Sequence, residues 1–243
     1  MAGIKAEWIT LEVSDGTIMR AYVARPHNTD RHTGLLVYHE AFGVNPHIRD
    51  VTERFAREGY VAVAPELFHR TAPGFEGAYN DFELARPHIK ALANQGLEAD
   101  IRSAYGWLQA EPGIQGQRIA CVGFCMGGRV TFLTNAVLPV SAAISFYGGG
   151  IAPNPYSTGF LDRAGDLHAP QMLFWGGLDK HLGPEVARTV TEAIRGAGKP
   201  FVNVEFSDAD HGFFCDARSS YNPAAARQAW VLALTFLDIY AKH

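Results

Sequence analysis

The stretch Ile119-Ala120-Cys121-Val122-Gly123-Phe124-Cys125-Met126-Gly127-Gly128-Arg129-Val130 constrains the fold of this chain more than any other. An apolar run breaks at Gly-x-Cys-x-Gly and resumes with helical periodicity, which reads as a strand, a sharp turn and a helix. A side chain on such a turn stands clear of both elements, because the glycines on either side of it carry nothing to cover it. Here that side chain is a thiol. With 25 Gly and 3 Cys in 243 residues, the pattern arises by chance in only about 0.03 chains of this composition. Its meaning depends on context: an acid and then a histidine downstream, each just beyond a strand, and an upstream loop able to donate N–H groups.

Read in order, residues 7–13 and 17–24 alternate apolar and polar side chains about Ser14-Asp15-Gly16, the pattern of an antiparallel hairpin at a sheet edge. Gly34 to Tyr38 is continuously apolar, as expected of a strand buried on both faces, and runs into His39-Glu40-Ala41-Phe42-Gly43-Val44-Asn45-Pro46, a candidate functional loop. Ile48, Val51, Phe55 and Ala56 recur at helical spacing between Pro46, suited to a first turn, and Gly59, suited to a stop. Tyr60 to Ala64 is the next buried strand, closed by Pro65. Strand, helix and strand in succession imply a right-handed parallel crossover and the doubly wound α/β class.

Residues 65–80 hold Pro65, Pro73, Gly74 and Gly77 among aromatics, a long irregular connection of a kind that can roof a pocket. Helices are expected at 80–94, with Pro87 early in it, and at 97–110, ended by Glu111-Pro112-Gly113. The helix 126–137 leads to a strand at 142–147, and 148–168 reads as loop. A strand at 171–175, a helix from Pro184 to Ile194, a strand at 201–206 and a last helix at 223–241 follow. No repeat, low-complexity tract or linker interrupts the alternation. Residues 1–243 therefore read as one α/β domain, a mostly parallel sheet flanked by helices with an N-terminal antiparallel hairpin.

Composition narrows the partners. A net charge of −4 and the lack of any Lys/Arg run leave no basic field, so nucleic acid and anionic membrane are excluded and a small molecule is expected. Residues 1–10 lack the apolar core of a secretory signal, and no apolar stretch approaches the roughly 20 residues that span a bilayer, so a soluble cytoplasmic protein is expected. Three cysteines, Cys121, Cys125 and Cys215, with no Cys/His cluster at zinc spacing, argue for reduced thiols, no disulfide framework and no metal.

Ligands of open α/β sheets bind beyond the carboxyl ends of the strands. Glu40, Cys125, Asp179 and His211 each lie there, after four different predicted strands. Nucleophile, acid and histidine follow one another as in the α/β-hydrolases. A free thiol has a pKa of about 8.5, but Cys125 opens a helix whose dipole favours negative charge, and His211 can take its proton. Asp179 would orient His211, and the backbone N–H groups of Met126 and Ala41 would hold the oxyanion. Blander readings stand beside these. Cys121 and Cys215 suit small core hydrophobes, while Asp179 and His211 could each be turn residues. Asp208 and Asp210 are rivals for the histidine but too near in sequence to reach its ring from the usual side. His39, His69, Lys180 and His181 read as loop surface or as support for the site.

Gly123-Phe124-Cys125-Met126-Gly127-Gly128, with His39-Glu40-Ala41-Phe42-Gly43, Leu178-Asp179 and His211-Gly212-Phe213, resembles the dienelactone hydrolases, the cysteine-using branch of the α/β-hydrolases, over nearly the whole chain and in order. The resemblance implies hydrolysis of dienelactone (carboxymethylenebutenolide) to maleylacetate without a cofactor, with Cys125, Asp179 and His211 as triad. It also implies that Glu40 pairs with the resting thiol and takes its proton when substrate binds. The best-known member holds its substrate carboxylate with two arginines. Here the position after the catalytic histidine aligns with Cys215, and the nearest arginine is Arg218; on the earlier helix Arg86 is the candidate, with Arg70 as rival. Phe42 and Tyr147 are further candidate substrate contacts. The expected enzyme is a monomeric or weakly dimeric thiol hydrolase of a small, carboxylate-bearing lactone or ester. Its rivals are a general carboxylesterase or lactonase of the same family, a redox or thiol-transfer protein, which would want a Cys-x-x-Cys, and a non-catalytic binding protein, which would have lost a triad member.

Overall fold

Short apolar runs with no polar face must be covered on both sides, and here they are covered by crossover helices. The computed structural model describes residues 3–28 and 30–242, in two compact units, Met1–Ala120 and Cys121–His243.

In the first unit β1 (Ile4–Glu12) and β2 (Ile18–Pro26) form the antiparallel hairpin, with Ile4 opposite Pro26 and Glu12 opposite Ile18. Gly16 makes its turn at φ +84°, where a side chain would strain the backbone. β2 lies antiparallel to β4 (Tyr60–Pro65), and β4 lies parallel to β3 (His32–Tyr38). The order is β1-β2-β4-β3-β5, with β5 spanning Ile114–Phe124. The crossover between β3 and β4 is α1 (Pro46–Arg57), whose Asn45 side chain accepts the Ile48 N–H at 3.2 Å and whose buried face carries Ile48, Val51, Phe55 and Ala56. α2 (Phe82–Ala91) and α3 (Asn94–Ala110) follow. Pro87, expected early in its helix, is the sixth of ten residues in α2, because the Asp81 carboxylate caps the Leu84 N–H and delays the start to Phe82.

In the second unit the C-terminal half of β5 pairs parallel with β6 (Ala143–Phe146), β6 with β7 (Gln171–Gly176), and β7 with β8 (Phe201–Phe206). β6 and β7 are buried at every position, whereas β8, with a neighbour on one side only, is half-exposed. The helices are α4 (Met126–Val137), α5 (Pro184–Gly196) and α6 (Pro223–Leu237). Two segments depart from expectation. The loop 148–168 contains a 3-10 turn at Leu161–Asp166, and the last α-helix ends at Leu237 before a π-helical segment, Asp238–Lys242. Among the described residues no helix is long and apolar enough to cross a membrane.

An aromatic stack ties the ends of the strands to the loop after β8. Phe146 lies 4.8 Å from Phe124 and 4.5 Å from Phe174 between ring centroids, and Phe214 lies 5.3 Å from Phe124 and 4.9 Å from Phe146. Each such buried ring contributes about 1.5–3 kcal/mol by transfer from water, and the ring pairing adds about 0.5–1.5 kcal/mol.

Helix α4 sits so near the sheet that there is no room for a methyl group between them. A Cβ on Gly123 would lie 2.1 Å from the Gly127 carbonyl oxygen, and one on Gly128 would lie 2.5 Å from Ser145 Oγ and 2.6 Å from Gly148 Cα. Gly128→Ala should therefore lower unfolding stability by about 1–3 kcal/mol or more. Gly106→Ala, on α3 with open space around it, should raise stability by about 0.5–1 kcal/mol. Chemical denaturation of the two variants tests the contrast; a neutral Gly128→Ala would contradict this packing.

Candidate active site

Cys125 lies between the last residue of β5 and the first of α4, at φ 52° and ψ −115°. A non-glycine residue in that region costs about 1–3 kcal/mol and persists only where its surroundings hold it. Its N–H donates to the Phe146 carbonyl at 3.0 Å, and its own carbonyl accepts from Gly128 N–H at 2.9 Å and Gly149 N–H at 3.2 Å. The side chain is left partly exposed, while Cys121 and Cys215 are fully buried. Burial pushes the Cys121 thiol up, and its S–H points to the Thr131 carbonyl at 3.8 Å. Met126 N–H is the first of α4, a position with no intrahelical acceptor.

Asp179 follows β7 and His211 follows β8. One Asp179 oxygen, Oδ1, accepts the backbone N–H groups of His181 at 2.8 Å and Leu182 at 3.0 Å; the other, Oδ2, lies 2.7 Å from His211 Nδ1. Two backbone donors thus aim the carboxylate at the ring. Asp210 is occupied by the backbone N–H of His211 itself at 2.6 Å, and Asp208 accepts the Asn222 amide at 3.3 Å, so neither meets the ring. With Nδ1 committed to Asp179, Nε2 remains for the hydrogen bond that His211 makes with Cys125.

These contacts set the charges. Burial works against an imidazolium, yet the charge of Cys125 and the Asp179 hydrogen bond push His211 up to about 10. Burial likewise works against the Asp179 carboxylate, but His211 and the two backbone donors hold it below the ordinary range. Tyr147, at φ 39°, places its ring 5.1 Å from that of His211 and 5.3 Å from that of Phe213. Arg218 lies against Gly212, where a Cβ would be 2.5 Å from its Cζ, so its guanidinium covers the residue beside His211. The second unit therefore brings together Cys125, Met126, Asp179, His211, Tyr147 and Arg218.

The first unit carries the other candidates. Glu40, Ala41 and Phe42 follow β3 and are 0%, 1% and 3% exposed, so Glu40 is no solvated loop carboxylate. His39, expected as loop surface or support, is fully buried. Its Nε2 accepts the Leu67 N–H at 3.2 Å, which leaves the proton on Nδ1 to donate to the Glu40 carbonyl at 2.6 Å. Burial lowers the ring to about 4, so it is neutral and its tautomer is set. Because the peptide is planar and trans, that bond also sets the direction of the Ala41 N–H. Arg70 is committed elsewhere: Nη1 and Nη2 clasp the buried Asp100 at 2.9 and 2.8 Å, and Nε meets Asp15 at 2.8 Å. His69 also lies against Asp100, at 3.1 Å. Arg86 is half-exposed on α2 and paired with Glu83.

Sequence reasoning passes over Arg129 as an ordinary helix position, yet it is 3% exposed. The one signal that could have found it is that no other residue of α4 is charged.

The parallel sheet with its crossover helices and strained strand-to-helix turn is the α/β-hydrolase fold. Within it, the chain belongs to the dienelactone hydrolase family, which it matches over residues 19–241. A provisionally named carboxymethylenebutenolidase of Synechocystis sp. is 36% identical over 218 residues, covering 86% of this chain and 87% of that protein. The carboxymethylenebutenolidase of Pseudomonas sp. is 26% identical over 234 residues, covering 95% and 94%. The crystal structure of a provisionally named dienelactone hydrolase of Klebsiella pneumoniae superposes with a TM-score of 0.89 at 31% identity, over 98% of this chain and 100% of that one.

A histidine whose folded pKa lies above its usual value of about 6.5 contributes stability that is intact below that value and lost as pH rises through the folded pKa, here about 10. Asp179 contributes above the ordinary carboxylate range, and its share is lost as pH falls through its depressed value. Imidazole NMR should show His211 doubly protonated at neutral pH, with a titration that falls in both Cys125→Ser and Asp179→Asn. A titration unmoved in both variants would contradict Cys125 and Asp179 as the source of the shift.

Proposed function

We propose that the protein is a cysteine-dependent hydrolase of small lactones or esters that works through an acyl-enzyme on Cys125. The observation that carries this is the hydrogen-bonded series from Asp179 through His211 to Cys125, with Nδ1 tied at 2.7 Å and Nε2 turned to the sulfur. The family and the names of the relatives support an ester or lactone carbonyl as the target.

When substrate binds, the proton of the thiol passes to Glu40, the base that the family motif assigns, and the thiolate attacks the carbonyl carbon beside the His211 imidazolium. The carbonyl electron pair moves to oxygen, where Met126 N–H, and Ala41 N–H by its place in the family motif, receive the charge. Collapse breaks the ester C–O bond, and the departing oxygen takes the proton from His211. A lactone's two products remain one molecule, still joined to the enzyme as a thioester. Water then attacks the thioester carbon, gives its proton to His211, and the sulfur leaves. Asp179 stays ionised throughout and fixes the ring tautomer. Glu40 gives its proton back to the sulfur as product leaves, which restores the resting thiol. The enzyme would act in the cytoplasm as a monomer or weak dimer, on a substrate carrying a carboxylate, with Arg218, Phe42 and Tyr147 among its contacts.

A second reading, a carboxylesterase or lactonase of the same family with no dienelactone activity, draws on the arginines. Arg70 is bound to two carboxylates, and Arg86 lies half-exposed beside Glu83. Turnover of dienelactone against a neutral aryl ester separates the two.

Cys125→Ala should lower turnover of an activated aryl ester by about a thousandfold or more while the circular dichroism stays native. Cys125→Ser should keep only a small residue of activity, because an alcohol is far harder to deprotonate than a thiol. Intact-mass detection of an acyl adduct on Cys125 is the direct check. Near-normal turnover by the alanine variant would sink the assignment.

A further inference from the structure

His39 follows the end of β3 and is fully buried, although no step of the hydrolysis uses it. A buried neutral imidazole needs a partner at each nitrogen, a donor for one and an acceptor for the other. Both are present. The Leu67 N–H donates to Nε2 at 3.2 Å, and Nδ1–H donates to the Glu40 carbonyl at 2.6 Å. β3 and β4 are parallel neighbours, with Leu36 opposite Val63, so the residues just past their ends come side by side and supply these two contacts. The Phe68 ring meets the imidazole at an edge, 5.1 Å between centroids, and fixes its plane.

These bonds form one line. The Leu67 N–H belongs to the peptide whose carbonyl, on Glu66, accepts the His69 N–H at 3.0 Å, and the Glu40 carbonyl belongs to the peptide whose N–H is on Ala41. Every donor in the series points the same way: His69 N–H, Leu67 N–H, His39 Nδ1–H and, last, Ala41 N–H. Hydrogen bonds arranged head to tail polarise one another, by about 10–30% per bond, and a buried setting preserves the effect. Only a neutral ring with its proton on Nδ1 passes it on, since an imidazolium has no lone pair to accept from Leu67. Burial, which lowers the ring to about 4, keeps it in that form.

We propose that His39 is a positioning residue of the hydrolysis, one that through the Glu40 carbonyl aims and polarises the Ala41 N–H and makes that group a stronger donor to the oxyanion. This rests on the reading of Cys125 as the nucleophile and of Ala41 N–H as an oxyanion donor. Donors fixed in advance are effective because they already point to the place where charge develops. The substrate carbonyl oxygen carries little charge before attack, and the tetrahedral oxygen carries a full one. A better donor therefore acts on kcat more than on KM.

The test compares His39→Leu, which removes both bonds, with His39→Gln, whose amide keeps a donor and an acceptor. For a neutral aryl ester, kcat should fall about tenfold in the leucine variant, less than the roughly hundredfold or more that follows loss of a whole oxyanion donor, with KM within about twofold of wild type. A trifluoromethyl ketone is the second probe: the Cys125 sulfur bonds to its carbonyl carbon and the carbonyl electron pair moves to oxygen, so its affinity should fall with kcat. Iodoacetamide, which alkylates Cys125 by displacing iodide and forms no oxyanion, should react at the wild-type rate. His39→Gln should restore kcat and the ketone affinity. An unchanged kcat in His39→Leu overturns the proposal. So does an alkylation rate that falls with kcat, the mark of a general disturbance, and so does a glutamine variant no better than leucine. Should the leucine variant not fold, imidazole nitrogen NMR of the unsubstituted protein decides: His39 should be neutral at neutral pH with its proton on Nδ1, and the other tautomer or an imidazolium is the contrary result. Near-normal turnover by Cys125→Ala instead overturns the nucleophile assignment, in a protein with His39 intact, so the two failures are told apart.

Discussion

The turn at Cys125 is the constraint on which the second unit depends. A non-glycine residue at φ 52° persists because three backbone hydrogen bonds, to Phe146, Gly128 and Gly149, grip both of its peptide groups. Those bonds are possible only because Gly123, Gly128 and Gly148 let helix and strands approach to distances at which no side chain fits. The same approach sets Cys125 and Met126, whose N–H is the first of α4, at the carboxyl end of β5. Backbone sterics, not any feature of the thiol itself, place the sulfur.

Among the described residues of this unit the buried charged side chains are Arg129 and Asp179, in a unit whose strand ends carry the packed rings of Phe124, Phe146, Phe174, Phe213 and Phe214. Apolar surroundings strengthen each electrostatic contact and penalise each one left open. Asp179 answers this with two backbone donors and the imidazole, and His211 with the carboxylate on one nitrogen and the sulfur on the other. Arg129 has only the Tyr156 carbonyl, and its Nε is buried without an acceptor.

Much of the fold was legible because its signals are local. Pro46 and Gly59 bracket α1, the gapless apolar runs of β3, β4 and β7 mark strands buried on both faces, and the elbow announces α4 from its first residue. The departures came where a side chain's partner lies elsewhere in the chain or where a short polar cap decides a boundary. Asp81 moves the start of α2, and Asp100 takes up Arg70 from thirty residues away. His39 looks like a polar residue leaving a strand, but the Leu67 N–H makes it a buried, neutral brace for the Glu40 carbonyl.

The sequence by itself determined the alternation of strands and helices, the strained turn with its thiol, and the order in which cysteine, aspartate and histidine follow their strands. These depend on periodicity and on glycine, which act over a few residues. Only the tertiary structure decided that Asp179 and not Asp208 or Asp210 meets the ring, that Arg70 is taken, and that Arg129 is enclosed without an acid. Each of those outcomes turns on which groups lose water together, and burial belongs to the packed chain, not to any stretch of it.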